Sequence, residues 1–138
     1  MNFSDINWIG VLLGSAAGFL LGALWYGPIF GKVWMAAAGI TKDDAKKVNM
    51  PVLMGSSFLT YLVLAVCIVL FLHMSPECDA GGWCWMDGAK IGAIAGLACA
   101  TGVFNNGFYE MKSKKLLLIN GAYSVINGAV MGAVIAMF

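Results

Sequence analysis

The chain has 138 residues, of which 61% are hydrophobic and 11% are charged, and its formal net charge is +1. Soluble domains carry about a quarter charged residues, so this composition excludes an ordinary water-soluble domain. The near-neutral charge and the lack of arginine also argue against a nucleic-acid partner, since such proteins depend on clustered basic side chains to contact phosphates.

Charged residues are confined to short segments of the chain. Four stretches contain no Asp, Glu, Lys or Arg: residues 6–31, 48–76, 91–109 and 116–138. A helix needs about 20 predominantly apolar residues to cross the hydrocarbon core of a bilayer, and each stretch approaches or exceeds this length. We therefore predict an all-α polytopic membrane protein with one four-span domain. The predicted spans cover residues 7–27, 51–73, 89–110 and 116–137.

The lysines are distributed unevenly. Seven of the eight lie in the predicted first and third loops: Lys32, Lys42, Lys46, Lys47, Lys112, Lys114 and Lys115. The second loop, from about His73 to Gly88, contains none. Because lysine-rich loops face the cytoplasm, we predict that both termini lie outside. The protein is then a multi-pass protein of the cytoplasmic (inner) membrane, surrounded by the lipid bilayer.

The segment WYGPIFGKVW (Trp25–Trp34) follows the first span. Gly27-Pro28 is expected to end or kink the helix, because proline donates no hydrogen bond and disfavours the α conformation in the residue before it. Apolar residues at helical spacing after the break predict a short helix lying in the membrane interface. Gly39 is its predicted C-cap, and Thr41 with Asp44 predicts a capping box for the next turn.

Glycines recur every four residues in three of the spans. They are Gly10, Gly14, Gly18 and Gly22, then Gly88, Gly92 and Gly96, and finally Gly128 and Gly132. Small residues at this spacing let helix backbones approach closely in lipid, where hydrophobicity does not drive helices together. We expect a glycine zipper, formed within one chain or between copies. The alternative is that these glycines line a narrow pore.

Polar residues inside the spans define a candidate site. Asparagines lie at Asn105, Asn106, Asn120 and Asn127. Counting from the neighbouring lysines places the first three at the depth of Trp25 and Tyr26. An amide in lipid needs hydrogen-bond partners, so we expect these side chains to face the bundle. They form either interhelical hydrogen bonds or a polar, aromatic-rimmed binding or pore layer.

The four cysteines fall into two pairs. Cys67 and Cys99 lie in spans and are expected to be small buried side chains. Cys78 and Cys84 flank DAGGW in the predicted outer loop, where a disulfide is favoured in an oxidising compartment. A metal site formed by His73, Cys78, Asp79 and Cys84 is the alternative, but its spacing fits no zinc pattern well.

The chain resembles domain-of-unknown-function family 1761, which comprises small four-helix integral membrane proteins. The resemblance is carried by Trp25-Tyr26-Gly27-Pro28, by Phe30-Gly31-Lys32 with Trp34, and by Gly121 and Gly132 in the last span. It implies a four-helix membrane bundle over the full length, and it supplies no activity.

Catalytic and cofactor-binding motifs are missing from the sequence, so we expect a protein that is not an enzyme and uses no cofactor. The favoured hypothesis is a helix bundle that acts by assembling into a homo-oligomer or with a larger membrane partner. The alternative is a channel or carrier for a small solute or ion, with the tryptophan, tyrosine and asparagine layer as its selective element.

Overall fold

A computed structural model of the chain describes residues 6–74 and 85–138. All regular secondary structure in these ranges is helical. Four helices are long and apolar enough to cross a membrane, which confirms the all-α, four-span fold. The orientation relative to the two sides of a membrane stays a prediction.

The four long helices are α1 (Trp8–Leu24), α4 (Met50–Met74), α5 (Trp85–Tyr109) and α6 (Lys114–Ala136). A π turn (Trp25–Ile29) extends α1, and two short helices, α2 (Gly31–Ala38) and α3 (Lys42–Lys46), lead on to α4. Residues 31–49 and 110–115 lie at the same end of the bundle, which we call the lysine-rich end because it carries seven of the eight lysines.

Gly27-Pro28 interrupts the α-helical pattern at the end of α1. Pro28 has no N–H to donate to the carbonyl of Leu24, and Gly27 leaves helical geometry, with φ −96° and ψ −105°. The chain widens into a π turn, in which the N–H of Phe30 donates to the carbonyl of Trp25 at 2.9 Å. The predicted kink is thus confirmed.

The predicted cap residues after the kink are also confirmed. Gly39 ends α2 in the left-handed region, at φ 68°, where a side chain would be strained. Thr41 and Asp44 form a capping box at the start of α3: the Thr41 hydroxyl accepts from the Asp44 N–H, and the Thr41 N–H donates to the Asp44 carboxylate. The Thr41 hydroxyl also donates to the Asp44 carboxylate at 2.5 Å. This bond and the one from the Thr41 N–H lower the pKa of the Asp44 carboxyl.

Helix α6 lies at the centre of the bundle. It contacts α1, α4 and α5, and it also contacts α2 at the lysine-rich end. Met131 and Ile135 of α6 pack with Val11 of α1 and with Ile68 and Leu72 of α4 in the main apolar cluster. By contrast, the first turns of α4, residues 50–56, are exposed on all sides.

Glycines bring α5 and α6 into backbone contact. A Cβ added at Gly92 would overlap the carbonyl of Gly128, and one added at Gly128 would overlap the carbonyl of Gly92. The same relation holds between Gly88 and Gly132. Such proximity requires residues without side chains on both helices, because any Cβ would push the backbones apart.

The glycines of α1 instead receive side chains from α6. A Cβ at Gly14 would lie 2.6 Å from Ile135 Cγ1, and a Cβ at Gly18 would lie 2.7 Å from Met131 Sδ. Gly22 continues this groove at the lysine-rich end of α1, beneath Tyr123. The regular glycine spacing of α1 therefore forms a groove in the helix surface, and the larger α6 side chains fill it.

The cysteine expectations have mixed outcomes. Cys78 and Cys84, with the predicted disulfide and the alternative metal site, lie outside the described residues. Cys67 is half-buried, but Cys99 is exposed, so the expectation that Cys99 is buried is wrong. The physical reason is that α5 buries Gly96 and Ala100 at this level, and Cys99 falls outside that contact.

Replacing Gly92 with alanine should destabilise the bundle, because the new methyl group meets the Gly128 backbone and cannot be accommodated by a rotamer change. We expect a loss of about 1–3 kcal/mol in the free energy of unfolding, as for other overpacked interiors. Denaturant titration in detergent micelles measures this loss.

The matched control is Gly55→Ala on α4, where an added Cβ meets nothing within 4 Å. Its stability should equal or slightly exceed that of the wild type, since alanine favours helix. Equal effects of the two substitutions would contradict the backbone contact between α5 and α6.

Candidate functional site: an amide and aromatic layer

The kink in α1 places Tyr26 and Trp34 next to each other. Their rings meet edge to face with centroids 5.5 Å apart. Both side chains donate to the same atom, Asn120 Oδ1 of α6: the Tyr26 hydroxyl at 3.1 Å and the Trp34 Nε1 at 3.1 Å. One amide oxygen thus joins the π turn, α2 and α6.

The indole of Trp34 fixes the orientation of the Asn120 amide. An indole N–H can only donate, so the atom that faces it must be the amide oxygen. The amide nitrogen of Asn120 therefore points away from Trp34, and it has no hydrogen-bond partner among the described residues. Asn120 is half-buried, which leaves this NH₂ group as its remaining polar function.

A pair of tyrosines lies beside this amide. The hydroxyls of Tyr61 (α4) and Tyr123 (α6) are 2.7 Å apart, and the ring of Tyr123 packs 4.9 Å from that of Tyr26. Gly22 of α1 leaves the necessary space, since a Cβ there would lie 2.8 Å from the Tyr123 hydroxyl oxygen. The tyrosine pair therefore connects α4 to the layer across a glycine of α1.

Trp25 is buried within the layer, with 9% of its surface exposed. Its ring packs against Phe30 at 4.6 Å and against Tyr123 at 5.9 Å between centroids. The indole N–H is buried and has no hydrogen-bond partner in the described part of the chain. Trp25 is thus an apolar packing group in this layer and donates nothing to it.

Asn127 lies two turns further along α6 and contacts α1. It is 2% exposed, and its amide nitrogen donates to Met131 Sδ at 3.5 Å. Its oxygen accepts no hydrogen bond from residues 6–74 or 85–138, but it lies 3.1 Å from the position of a Cβ on Gly18. The Gly18 Cα–H therefore faces this oxygen, an arrangement typical of weak Cα–H···O contacts between helices.

The structure does not bring Asn105 and Asn106 into the layer. Both are exposed on α5, because the glycine face of this helix is directed at α6. The layer consequently contains Trp25, Tyr26 and Asn120 of the predicted site, with Asn127 deeper in the bundle.

Three side chains of the layer were missed as site residues: Trp34, Tyr61 and Tyr123. A signal for Tyr123 was present in the sequence. Asn120, Tyr123 and Asn127 follow the i, i+3, i+7 spacing of one helix face. The contributions of Trp34 and Tyr61 depend on which helices are neighbours, and local spacing does not supply that information.

The layer adjoins a groove at the lysine-rich end. This groove, of about 520 Å³, runs between the end of α2 and the turn joining α5 to α6. Trp34 and Asn120 line it together with Glu110 and Lys112, which form an ion pair. Among residues 6–74 and 85–138, no group of three or more His, Cys, Asp or Glu side chains is placed to hold a metal ion.

Comparison with known families bears on this fold. The family described as "Protein of unknown function (DUF1761)" matches residues 9–136. The chain belongs to this family. The match confirms the resemblance found in the sequence, and the DUF1761 description states no activity. No curated protein and no solved structure matches the chain significantly.

Replacing Asn120 with leucine should release α2 from the bundle, because the Tyr26 hydroxyl and the Trp34 N–H both lose their acceptor. Buried donors left unpaired cost about 1–3 kcal/mol. We expect faster hydrogen–deuterium exchange in residues 31–38 of the DUF1761 protein, measured by mass spectrometry in lipid nanodiscs.

Asn105→Leu is the control, since Asn105 is exposed and contacts no part of this layer. It should leave the exchange of α2 unchanged. Unaltered exchange of α2 in the Asn120 variant would show that the amide does not anchor this helix.

Proposed function

We propose that this DUF1761 protein is a non-enzymatic helix bundle that acts as a homodimer, assembled in the membrane through the outer face of α5. That face consists of Ala98, Thr101, Gly102, Asn105 and Asn106, all of which are exposed in the single chain. The observation that carries the proposal is the pair of asparagine amides left without partners on a membrane-spanning helix.

The two amides are costly to leave unpaired. The side-chain amides of Asn105 and Asn106 make no hydrogen bond to any described residue, although both lie within the last turns of α5. An amide moved from water to an apolar medium without a hydrogen bond loses several kcal/mol. Asparagine side chains in spanning helices accordingly hydrogen-bond across helices, with a gain of about 1–2 kcal/mol in model peptides.

Exposed polar residues on α4 do not present the same need. The hydroxyls of Ser56, Ser57 and Thr60 each donate to a carbonyl of their own helix, at 2.8–2.9 Å. The apolar residues around them are compatible with lipid. An amide has more donors and acceptors than one such bond would satisfy. The side chains that still need hydrogen-bond partners are therefore the asparagines of α5.

The outer face of α5 also permits close helix approach. Ala98 and Gly102 are four residues apart, and a Cβ added at Gly102 meets nothing within 4 Å. Two small residues at this spacing form a shallow surface against which another helix backbone fits. The same helix already uses such a surface elsewhere, where Gly88 and Gly92 contact α6.

A second copy suits this face chemically. An amide both donates and accepts, so two identical asparagines pair across a two-fold axis. The strong lysine asymmetry predicts that all copies insert in one orientation. A two-fold axis along the membrane normal then places Asn105 of one protomer at the depth of Asn105 of its partner.

The transport hypothesis has less support from the geometry. A channel or carrier requires a polar path beside Asn105, Asn120 and Asn127. Instead, the Asn120 oxygen is bound by two aromatic donors, Asn127 is packed against α1, and Asn105 lies on the outer face of α5. These positions favour structural roles within and between chains.

Replacing Gly102 with leucine should weaken dimerisation, because the larger side chain prevents close approach on the outer face of α5. Energy transfer between labelled copies, measured in liposomes across a range of protein-to-lipid ratios, gives the dissociation constant. A loss of about 1–2 kcal/mol in packing and hydrogen bonding raises this constant about tenfold.

The matched control is Gly55→Leu, at an exposed glycine of α4 where an added Cβ also meets nothing within 4 Å. It should leave the dissociation constant unchanged. If Gly55→Leu weakens association and Gly102→Leu does not, the interface lies on α4. If wild-type copies show no association, the homodimer proposal is wrong, and solute flux through the same liposomes would then support transport.

A further inference from the structure

A second groove lies beside α2, next to the one at Asn120, with which it shares Ala36, Ala37 and Ser113. It has a volume of about 520 Å³ and is lined by Lys32, Val33, Ala36, Ala37, Ser113 and Lys115. One wall is α2 and the other is the start of α6. Most of its lining is apolar, and the two lysines are its only charged side chains among the residues that the structure describes.

Hydrogen bonds hold the two walls together. The Ser113 hydroxyl donates to the carbonyl of Ala37 at 3.2 Å, and the Trp34 N–H donates to Asn120 at 3.1 Å about two turns further into α6. Since α2 is fixed to α6 at both positions, the groove exists in the single chain. It does not depend on the proposed homodimer.

The two lysines of the groove have no acidic partner in the part of the chain that the structure describes. Four of the other six lysines are paired: Lys46 with Asp43, Lys47 with Asp44, Lys90 with Asp87 and Lys112 with Glu110. Lys32 and Lys115 form no ion pair with any described residue, although they come from elements far apart in the sequence. Two unpaired cations at one groove repel each other, and an anion between them would remove that repulsion.

The start of α6 adds to this requirement. Lys114 and Lys115 occupy the first turn of α6, where the positive end of the helix dipole disfavours cations and favours anions. Ser113 caps one N–H of this turn, that of Leu116. An anion in the groove would interact favourably with Lys115, Lys32 and the helix terminus together.

The apolar wall and the position of the groove indicate the kind of anion. The groove lies where α6 begins, at the level at which a spanning helix meets the lipid headgroups. Val33, Ala36 and Ala37 provide contact area for the glycerol and upper acyl groups of a lipid, which a free inorganic anion lacks. Basic pockets between spanning helices bind anionic headgroups in this way.

We propose that this groove binds the headgroup phosphate of an anionic phospholipid from the leaflet at the lysine-rich end. Lys32 and Lys115 contact the phosphate oxygens, and the apolar residues of α2 contact the glycerol and upper acyl chain. The bound lipid stabilises α2 against α6.

The test compares phosphatidylglycerol with phosphatidylcholine of identical acyl chains, each added to the full-length protein in neutral detergent. Native mass spectrometry measures the bound lipid, and thermal unfolding measures stabilisation. Phosphatidylglycerol should bind and raise the unfolding temperature more than phosphatidylcholine. In the double variant Lys32→Gln, Lys115→Gln, its affinity should fall about 10- to 30-fold, given the contribution of each lysine near an anionic lipid.

The control double variant is Lys42→Gln, Lys114→Gln, which has the same net charge but alters two lysines that do not line the groove. It should retain most of the wild-type affinity. Equal losses in the two double variants would show a non-specific charge effect and overturn the proposal, as would equal binding of the two lipids.

In the final part of the test, inorganic phosphate and glycerol phosphate are added as competitors of phosphatidylglycerol. Neither should displace phosphatidylglycerol at millimolar concentration, because neither uses the apolar wall. Displacement by inorganic phosphate alone would identify a small-anion site and overturn the lipid assignment.

Circular dichroism of both double variants should match the wild type, since all four lysines are exposed. Failure of dimerisation would leave these outcomes unchanged.

Discussion

Backbone contact between α5 and α6 is the constraint on which the rest of this structure depends. Lipid supplies no hydrophobic force between helices, so the two backbones associate through Gly88, Gly92, Gly128 and Gly132, where no side chain separates them. This contact fixes the rotation of α5 about its axis. The glycine face of α5 is therefore directed towards α6, and Asn105 lies on the outside of the bundle, where the proposed interface is.

The sequence was sufficient for the fold and for several local features. Charge-free stretches predicted four spans, and Gly27-Pro28, Gly39 and the Thr41–Asp44 capping box predicted the kink and the caps, because each of these signals depends only on residues close together in the chain. The outward position of Asn105 could also be predicted from the sequence. Gly96 and Asn105 are nine residues apart, about two and a half helical turns, so they lie on opposite faces of α5.

The composition of the amide and aromatic layer required knowledge of the tertiary structure. Tyr61 and Tyr123 meet because α4 and α6 are neighbours and because Gly22 of α1 leaves space between them. Trp34 reaches Asn120 because a π turn, and not a clean helix end, follows α1. Helix periodicity gives the face on which a residue lies but not the helix that it faces, which is why these partners were missed.

The central claim is that the outer face of α5 meets the same face of a second copy. Pulsed electron paramagnetic resonance between spin-labelled copies in lipid bilayers tests it most directly, with labels at Tyr109 of α5 in one sample and at Met50 of α4 in another. Both positions are exposed at the lysine-rich end. We predict a short distance between protomers for Tyr109 and a longer one for Met50. A shorter distance for Met50, or no dipolar coupling between copies, would contradict the account.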